Sequence, residues 1–159
     1  MPVRSEQPRY RLWMLDDEEL NIRKVERSLP RAVLAVLEFQ AFRSAIAFQC
    51  AFEDLLESDP SRLPDFLLLD FFLDGVVGTD VLEFLKASSE GSRLVATVII
   101  AHSSSDEANA ALVARGADFA LAKRGGVGIS RSIQETFASP EALRWVREHR
   151  SPPEVAARR

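Results

Sequence analysis

The chain has 159 residues, 47% hydrophobic and 28% charged, with 7 Gly and 8 Pro, which matches one ordinary globular domain and excludes disordered, collagenous and disulfide-stapled classes. Acidic side chains outnumber basic ones 24 to 20, a net charge of -4, so no domain-wide basic footprint for nucleic acid exists. Cys50 is the single cysteine, which excludes an internal disulfide and a cysteine zinc site, and no apolar stretch approaches the about 20 residues that cross a bilayer; an unexported chain of the cytoplasm, free of membrane, is expected.

Short apolar runs alternate with stretches of helical spacing, the mark of strand-helix units on a parallel sheet. The first run is Tyr10 to Leu15, followed by a helix carrying Ile22, Val25 and Leu29 until Pro30 stops it. The second run is Val33 to Leu37, after which Phe48, Phe52, Leu55 and Leu56 mark a helix ending before Ser58-Asp59-Pro60. Phe66 to Leu69 is the third and most continuously apolar run, suited to a strand covered on both faces. Thr79 is the expected cap of the next helix, with Val81, Leu82 and Leu85 on its apolar side, and Ser88 to Ser92 reads as a loop. Val95 to Ala101 is the fourth run; Ala108, Ala111 and Leu112 mark a helix that Gly116 terminates, and Phe119 to Ala122 is a short fifth run.

Beyond Gly125, Ile129, Ile133 and Phe137 face the sheet from one helix. Ser139-Pro140-Glu141 then supplies a cap, a first-turn proline and an early acid for another, with Ala142, Trp145, Val146 and His149 on its partly apolar side. The expected organisation is a flexible N-terminus over 1–9, a domain over 10–138, an additional helix over 139–150 and a flexible tail over 151–159. The fold class is α/β, a five-stranded doubly wound parallel sheet.

Such sheets gather function at the carboxyl ends of their strands. Asp16 and Asp17 end the first run, Asp70 the third, Ser103 lies past the fourth and Lys123 closes the fifth. Three carboxylates brought together call for a cation, and an all-oxygen set with room for water suits Mg²⁺ better than zinc. An ionised Asp70 beside the metal is then a nucleophile toward a phosphoryl donor, with Lys123 and the metal neutralising the phosphoryl oxygens and Ser103 hydrogen-bonding one of them.

Taken singly, these residues have plainer readings. Asp16-Asp17 reads as a helix cap, Lys123 as a surface lysine, and Ser105 as a cap within the Ser103-Ser104-Ser105 run. His102 is expected to be structural, Cys50 a core or boundary residue, and the arginines at 144, 147, 150, 158 and 159 a solvated face and tail, or a contact for an acidic partner.

In their order along the chain, the residues resemble the receiver domains of bacterial two-component response regulators, over roughly Tyr10 to Phe137. The resemblance rests on the strand ending in Asp16-Asp17-Glu18, on Leu67-Leu68-Leu69-Asp70 with Gly78 eight residues later, on Val98-Ile99-Ile100 leading to Ser103, and on Gly116-Ala117-Asp118 before Lys123. It implies a flavodoxin-like strand order 2-1-3-4-5, and Mg²⁺ held by Asp17, Asp70 and the main-chain oxygen of Phe72, with Asp16 acting mostly through water. It also implies phosphorylation of Asp70 by a histidine kinase or phosphotransfer protein, a protein partner as output, and Phe72 and Ser105 as modulators of water attack. The domain over 10–138 would thus be a stand-alone receiver, a signalling domain and not an enzyme, in which the 139–150 helix lies on or near the output face.

Three departures accompany the match. Arg124 follows Lys123 where the family usually carries proline, Ala120 replaces the usual inward-swinging aromatic, and Asp74-Gly75 forms a turn where proline is common. They keep a second reading open: a pseudo-receiver acting as a phosphorylation-independent interaction module. A metal-dependent phosphatase with an aspartyl nucleophile would want a second acid at position 72, where Phe72 stands.

Overall fold

The structure, a computed structural model, describes residues 9–89, 96–123 and 127–153. β1 (Tyr10–Leu15) leads to α1 (Glu19–Ser28) and one helical turn, α2 (Arg31–Leu34); β2 (Leu37–Phe42) leads to α3 (Ala45–Ser58). β3 (Phe66–Leu69) is followed by a small hairpin of β4 (Phe72–Leu73) and β5 (Val76–Val77), then α4 (Gly78–Ser89). β6 (Val98–Ala101), α5 (Asp106–Ala114), β7 (Phe119–Ala120), α6 (Val127–Thr136) and α7 (Pro140–His149) complete the order. The main sheet runs β2-β1-β3-β6-β7 with every neighbouring pair parallel, which is the expected 2-1-3-4-5 when only its five strands are counted.

Alternation along the strands divides the core in two. Leu12, Met14, Leu68 and Ile100 pack with α1, α6 and α7, while Trp13, Leu15, Leu67 and Leu69 pack with α3, α4 and α5. All four residues of β3 are buried, which is why its sequence shows no alternation.

The second strand lies later than expected. Pro30, whose ring fixes φ near the helical value, precedes the turn of α2, so Val33 and Leu34 are helical and the strand begins at Leu37. The exposed Glu38 and Gln40 between Leu37, Phe39 and Ala41 are the alternation of an edge strand. α4 begins at Gly78, so Thr79 lies inside the helix and is not its cap. The fourth and fifth strands are shorter than their apolar runs; Ala96 and Thr97 precede β6, and Leu121 and Ala122 follow β7. Cys50 is exposed on α3, which presents Phe48 and Phe52 to the core instead.

Ser139 caps α7 by accepting the Ala142 N–H at 3.1 Å, with Pro140 in the first turn. Its buried side is Ala142, Leu143 and Val146; Trp145 covers the flank, its ring stacked 3.7 Å from exposed His149. α7 lies along the amino edge of the sheet: Arg147 meets Asp65 just before β3, and Arg150 meets Asp118 just before β7. These contacts correct the solvated-face reading of the two arginines. Of the expected flexible ends at 1–9 and 151–159, residues 1–8 and 154–159 lie outside the described residues, as do Arg124 and Gly125; of the expected Ser88–Ser92 loop, Ser88 and Ser89 instead close α4 and the rest lies outside them.

Candidate metal centre

Parallel register brings the strand ends level. Leu15 is in register with Leu69, and Leu69 with Ala101, so Asp16, Asp70 and His102 follow as neighbours across the carboxyl edge. The backbone ladder continues past the strands through Asp70 N–H to Leu15 O at 3.1 Å, His102 N–H to Leu69 O at 2.9 Å and Lys123 N–H to Ser103 O at 3.2 Å. Carboxylate oxygens of Asp16, Asp17 and Asp70 thereby lie within 4.8 Å of one another.

Lys123 Nζ sits 2.6 Å from Asp16 Oδ2 and 3.1 Å from Asp70 Oδ2, all three groups buried. The contact with Asp16 is an ion pair made off the hydrogen-bonding direction, so Asp16 Oδ2 accepts no hydrogen bond among the described residues. Asp16 Oδ1 accepts the Glu18 N–H at 2.9 Å and faces Asn21 Nδ2 at 3.4 Å; Asp70 Oδ1 accepts the Phe71 N–H at 2.8 Å. Burial pushes the Asp70 carboxyl above its ordinary value; Lys123 opposes the shift and the Asp16 carboxylate adds to it.

Three carboxylates against one ammonium leave the cluster net negative, and the donors are all oxygen. The buried Asp16 and Asp70 carboxylates beside half-exposed Asp17 fit a hard divalent cation that keeps part of its water shell. A cavity of about 270 Å³ opens over the cluster, lined by Asp17, Asn21, Asp70, Phe72, Ser104 and Lys123 among others. Phe72 is 57% exposed at its rim.

The expected residues fall into two groups. Asp16, Asp17, Asp70 and Lys123 converge as described, and Phe72 lines the cavity. Ser103 is buried beneath it, its Oγ accepting the Ser105 N–H at 3.3 Å, and Ser104 is the serine that lines the cavity. Ser105 Oγ caps α5 by accepting the Ala108 N–H at 3.2 Å, the plainer role weighed for it. Phe119 is buried against the α6 side of the sheet and Ala120 is exposed, so no ring occupies position 120. Gly75 has φ of 76° in the Asp74-Gly75 turn, which glycine adopts without strain.

Sequence reasoning missed three supporting residues and gave no physical reason for a fourth. Asn109 is buried on α5 and holds Ser103 at both ends, accepting its N–H at 2.8 Å and donating to its carbonyl at 3.0 Å; a lone Asn between Ala108 and Ala110 on an otherwise apolar side was the available signal. Asn21 faces Asp16 from α1. Arg43 donates from Nε and Nη2 to the Asp17 carbonyl at 3.3 and 3.2 Å, a tertiary contact with no local sequence mark. Gly78 belonged to the motif without a reason; a Cβ there would collide with the Asp70 carbonyl oxygen, so only glycine lets α4 start this close to the nucleophile loop.

No family model and no curated protein matches the sequence. Solved structures do match its fold. A response regulator receiver domain from Rhodospirillum rubrum superposes with a TM-score of 0.66 at 17% identity, over 85% of this chain and 92% of that one. The phosphorylated cyanobacterial phytochrome response regulator RcpA gives 0.64 at 18%, over 82% and 94%, and the Mn²⁺-bound form of response regulator Rcp1 gives 0.62 at 20%, over 91% and 99%. The strand order, the helices on both faces and these superpositions together give the chain the flavodoxin-like fold of response regulator receiver domains.

Proposed function

We propose that the chain is a receiver domain of two-component signalling that accepts a phosphoryl group on Asp70, in a Mg²⁺-dependent reaction, from a histidine kinase or phosphotransfer protein, and thereby regulates a protein partner. The observation that carries this reading is the convergence of Asp16, Asp17 and Asp70 on one cavity with Lys123 ion-paired to two of them. The chemistry is transfer to the chain itself, so the protein is a signalling component and not a turnover enzyme.

The Asp70 carboxylate attacks phosphorus, the P–N bond of the donor phosphohistidine breaks, and the imidazole leaves with the electron pair. Mg²⁺ bound by Asp17, Asp70 and the Phe72 carbonyl, with Asp16 through water, would neutralise phosphoryl oxygens. Lys123 supplies an ammonium 3.1 Å from Asp70 Oδ2. Phe72 limits water at the rim, and Ser103 or Ser104, held by Asn109 and the α5 cap, offers a hydroxyl to a phosphoryl oxygen. The net charge of -4 speaks against a nucleic-acid partner, and no described helix is long and apolar enough to span a bilayer.

A second reading, the phosphorylation-independent interaction module, is favoured by exposed Ala120 at the switch position. Incubation with Mg²⁺ and beryllofluoride, or with a small phosphodonor, followed by intact mass measurement separates the two. Wild type gains the adduct and Asp70→Asn does not; a wild type that gains none selects the second reading.

A further inference from the structure

His102 is a buried titratable group that the proposed chemistry leaves unused. It is 1% exposed, and neither ring nitrogen has a hydrogen-bond partner among the described residues. Buried polar groups are almost always paired, and an unpaired one carries a desolvation cost that an apolar side chain would not incur. Two features relate the ring to Lys123, whose main-chain N–H donates to the carbonyl of neighbouring Ser103 at 3.2 Å. His102 is the register neighbour of Asp70, with the parity of Ile100 and Leu68, hence on the α1/α6 face. In addition, after burial, the charge of Lys123 is the second influence holding the ring neutral, with a pKa of about 3.

A neutral imidazole carries one lone pair as acceptor. Lys123 Nζ is committed to Asp16 Oδ2 at 2.6 Å, within the group of acids that could hold a cation. A divalent ion drawn to these acids repels the ammonium, which then needs another acceptor within the buried pocket.

We propose that His102 is a positioning residue for Lys123: its unpartnered ring nitrogen receives the ammonium that a divalent cation displaces from Asp16, and so keeps the ammonium over Asp70. The proposal rests on the phosphoacceptor reading and concerns a residue to which that reading gives no task.

The test uses the full chain. In wild type, addition of Mg²⁺ alone is expected to shift the ¹⁵N resonance of the unprotonated His102 nitrogen in the direction of hydrogen-bond acceptance, a change that a purely structural ring would not show. H102L is expected to weaken beryllofluoride uptake in Mg²⁺ by about tenfold, and H102Q, which keeps an acceptor, to stay within about threefold of wild type. Mg²⁺ affinity should fall in H102L, which leaves the displaced ammonium without this acceptor, and hold in H102Q, and H102L should melt no lower than wild type because it removes an unpaired buried group. An unmoved ¹⁵N resonance, or equal beryllofluoride affinity in H102L and wild type, overturns the proposal alone. A wild type that takes up no beryllofluoride overturns the phosphoacceptor reading and this proposal with it.

Discussion

Arg150 forms a bidentate pair with Asp118, its Nε 2.7 Å from Oδ1 and its Nη2 3.0 Å from Oδ2, and Nη2 also donates to the Thr97 carbonyl at 2.9 Å. Asp118 Oδ2 in turn accepts the Ile99 N–H at 2.8 Å, so one carboxylate joins the start of β6 to the cap of α7. Asp65 repeats the arrangement, accepting the Arg11 N–H at 2.8 Å and meeting Arg147 at 3.4 Å. The helix is thus a staple across the amino edge, opposite the acidic cluster. Arg150→Ala is expected to lower stability by about 1–3 kcal/mol, as Asp118 loses a bidentate partner while largely buried. Calorimetry should show the drop in Tm with Mg²⁺ affinity unaltered; an unchanged Tm would refute the staple.

Asn109 serves the other edge. Asn109→Ala leaves the Ser103 N–H and carbonyl without these partners in a buried setting, a loss of about 2 kcal/mol. Because it also frees the serine loop, uptake of a phosphodonor should slow more than the melting temperature alone implies. A variant that melts lower yet reacts at the wild-type rate would separate fold support from site support and assign Asn109 to the fold only.

These two residues mark where the sequence could and could not be read. Hydrophobic period and register located β1, β3 and the four converging site residues, because strand ends in a parallel sheet must meet on one edge. The same period misplaced β2, since Ala32 to Leu37 is apolar enough for either state and a proline's fixed φ decided it. Long-range polar contacts such as Asn109 to Ser103 and Arg43 to Asp17 obey no period. The place of α7 was equally hidden: its arginines read as solvent-facing until Asp65 and Asp118 stood opposite them.

The raised pKa of Asp70 has a signed consequence for stability. Its ordinary value is 3.8, and folding raises it, so the folded state binds the proton more tightly than the unfolded one. Asp70 therefore supports the fold fully below about pH 3.8, and this support is lost as pH rises through the raised value. At pH 7 the ionised group opposes folding, and Asp70→Asn should melt about 3 °C higher in the absence of divalent ions. The advantage should vanish as pH falls toward the ordinary carboxyl range. A variant that melts lower than wild type at neutral pH would show that the Lys123 pair outweighs desolvation.

Metal linkage gives an independent check. If the acids bind Mg²⁺ only when folded, a hundredfold excess over Kd stabilises wild type by about 2.7 kcal/mol. Asp17→Asn removes one half-exposed carboxylate without touching the Lys123 pairs, so its Tm without metal should match wild type while the Mg²⁺ increment largely disappears. An equal increment in both proteins would place the ion elsewhere.

Under the proposed phosphorylation of Asp70, Phe72 is expected to set the lifetime of the modified state. Its ring stands 57% exposed at the rim of the cavity that Asp70 also lines, against Phe71 with centroids 4.9 Å apart and interplanar angle 72°, so it is supported from one side and adds an apolar wall to the cavity. Hydrolysis of an acyl phosphate needs a water aligned behind phosphorus, and a phenyl ring offers that water neither a donor nor an acceptor. An amide at the same position offers both. Phe72→Asn is therefore expected to shorten the half-life of phosphorylated Asp70 several-fold, roughly the effect of one added hydrogen bond to the attacking water. The measurement is loss of the phosphoryl mass after removal of the donor. Since the ring is a rim residue outside both core clusters, the Tm should move little, so a faster decay would not reflect a loosened fold; identical decay in the two proteins would mean that Phe72 does not govern water entry.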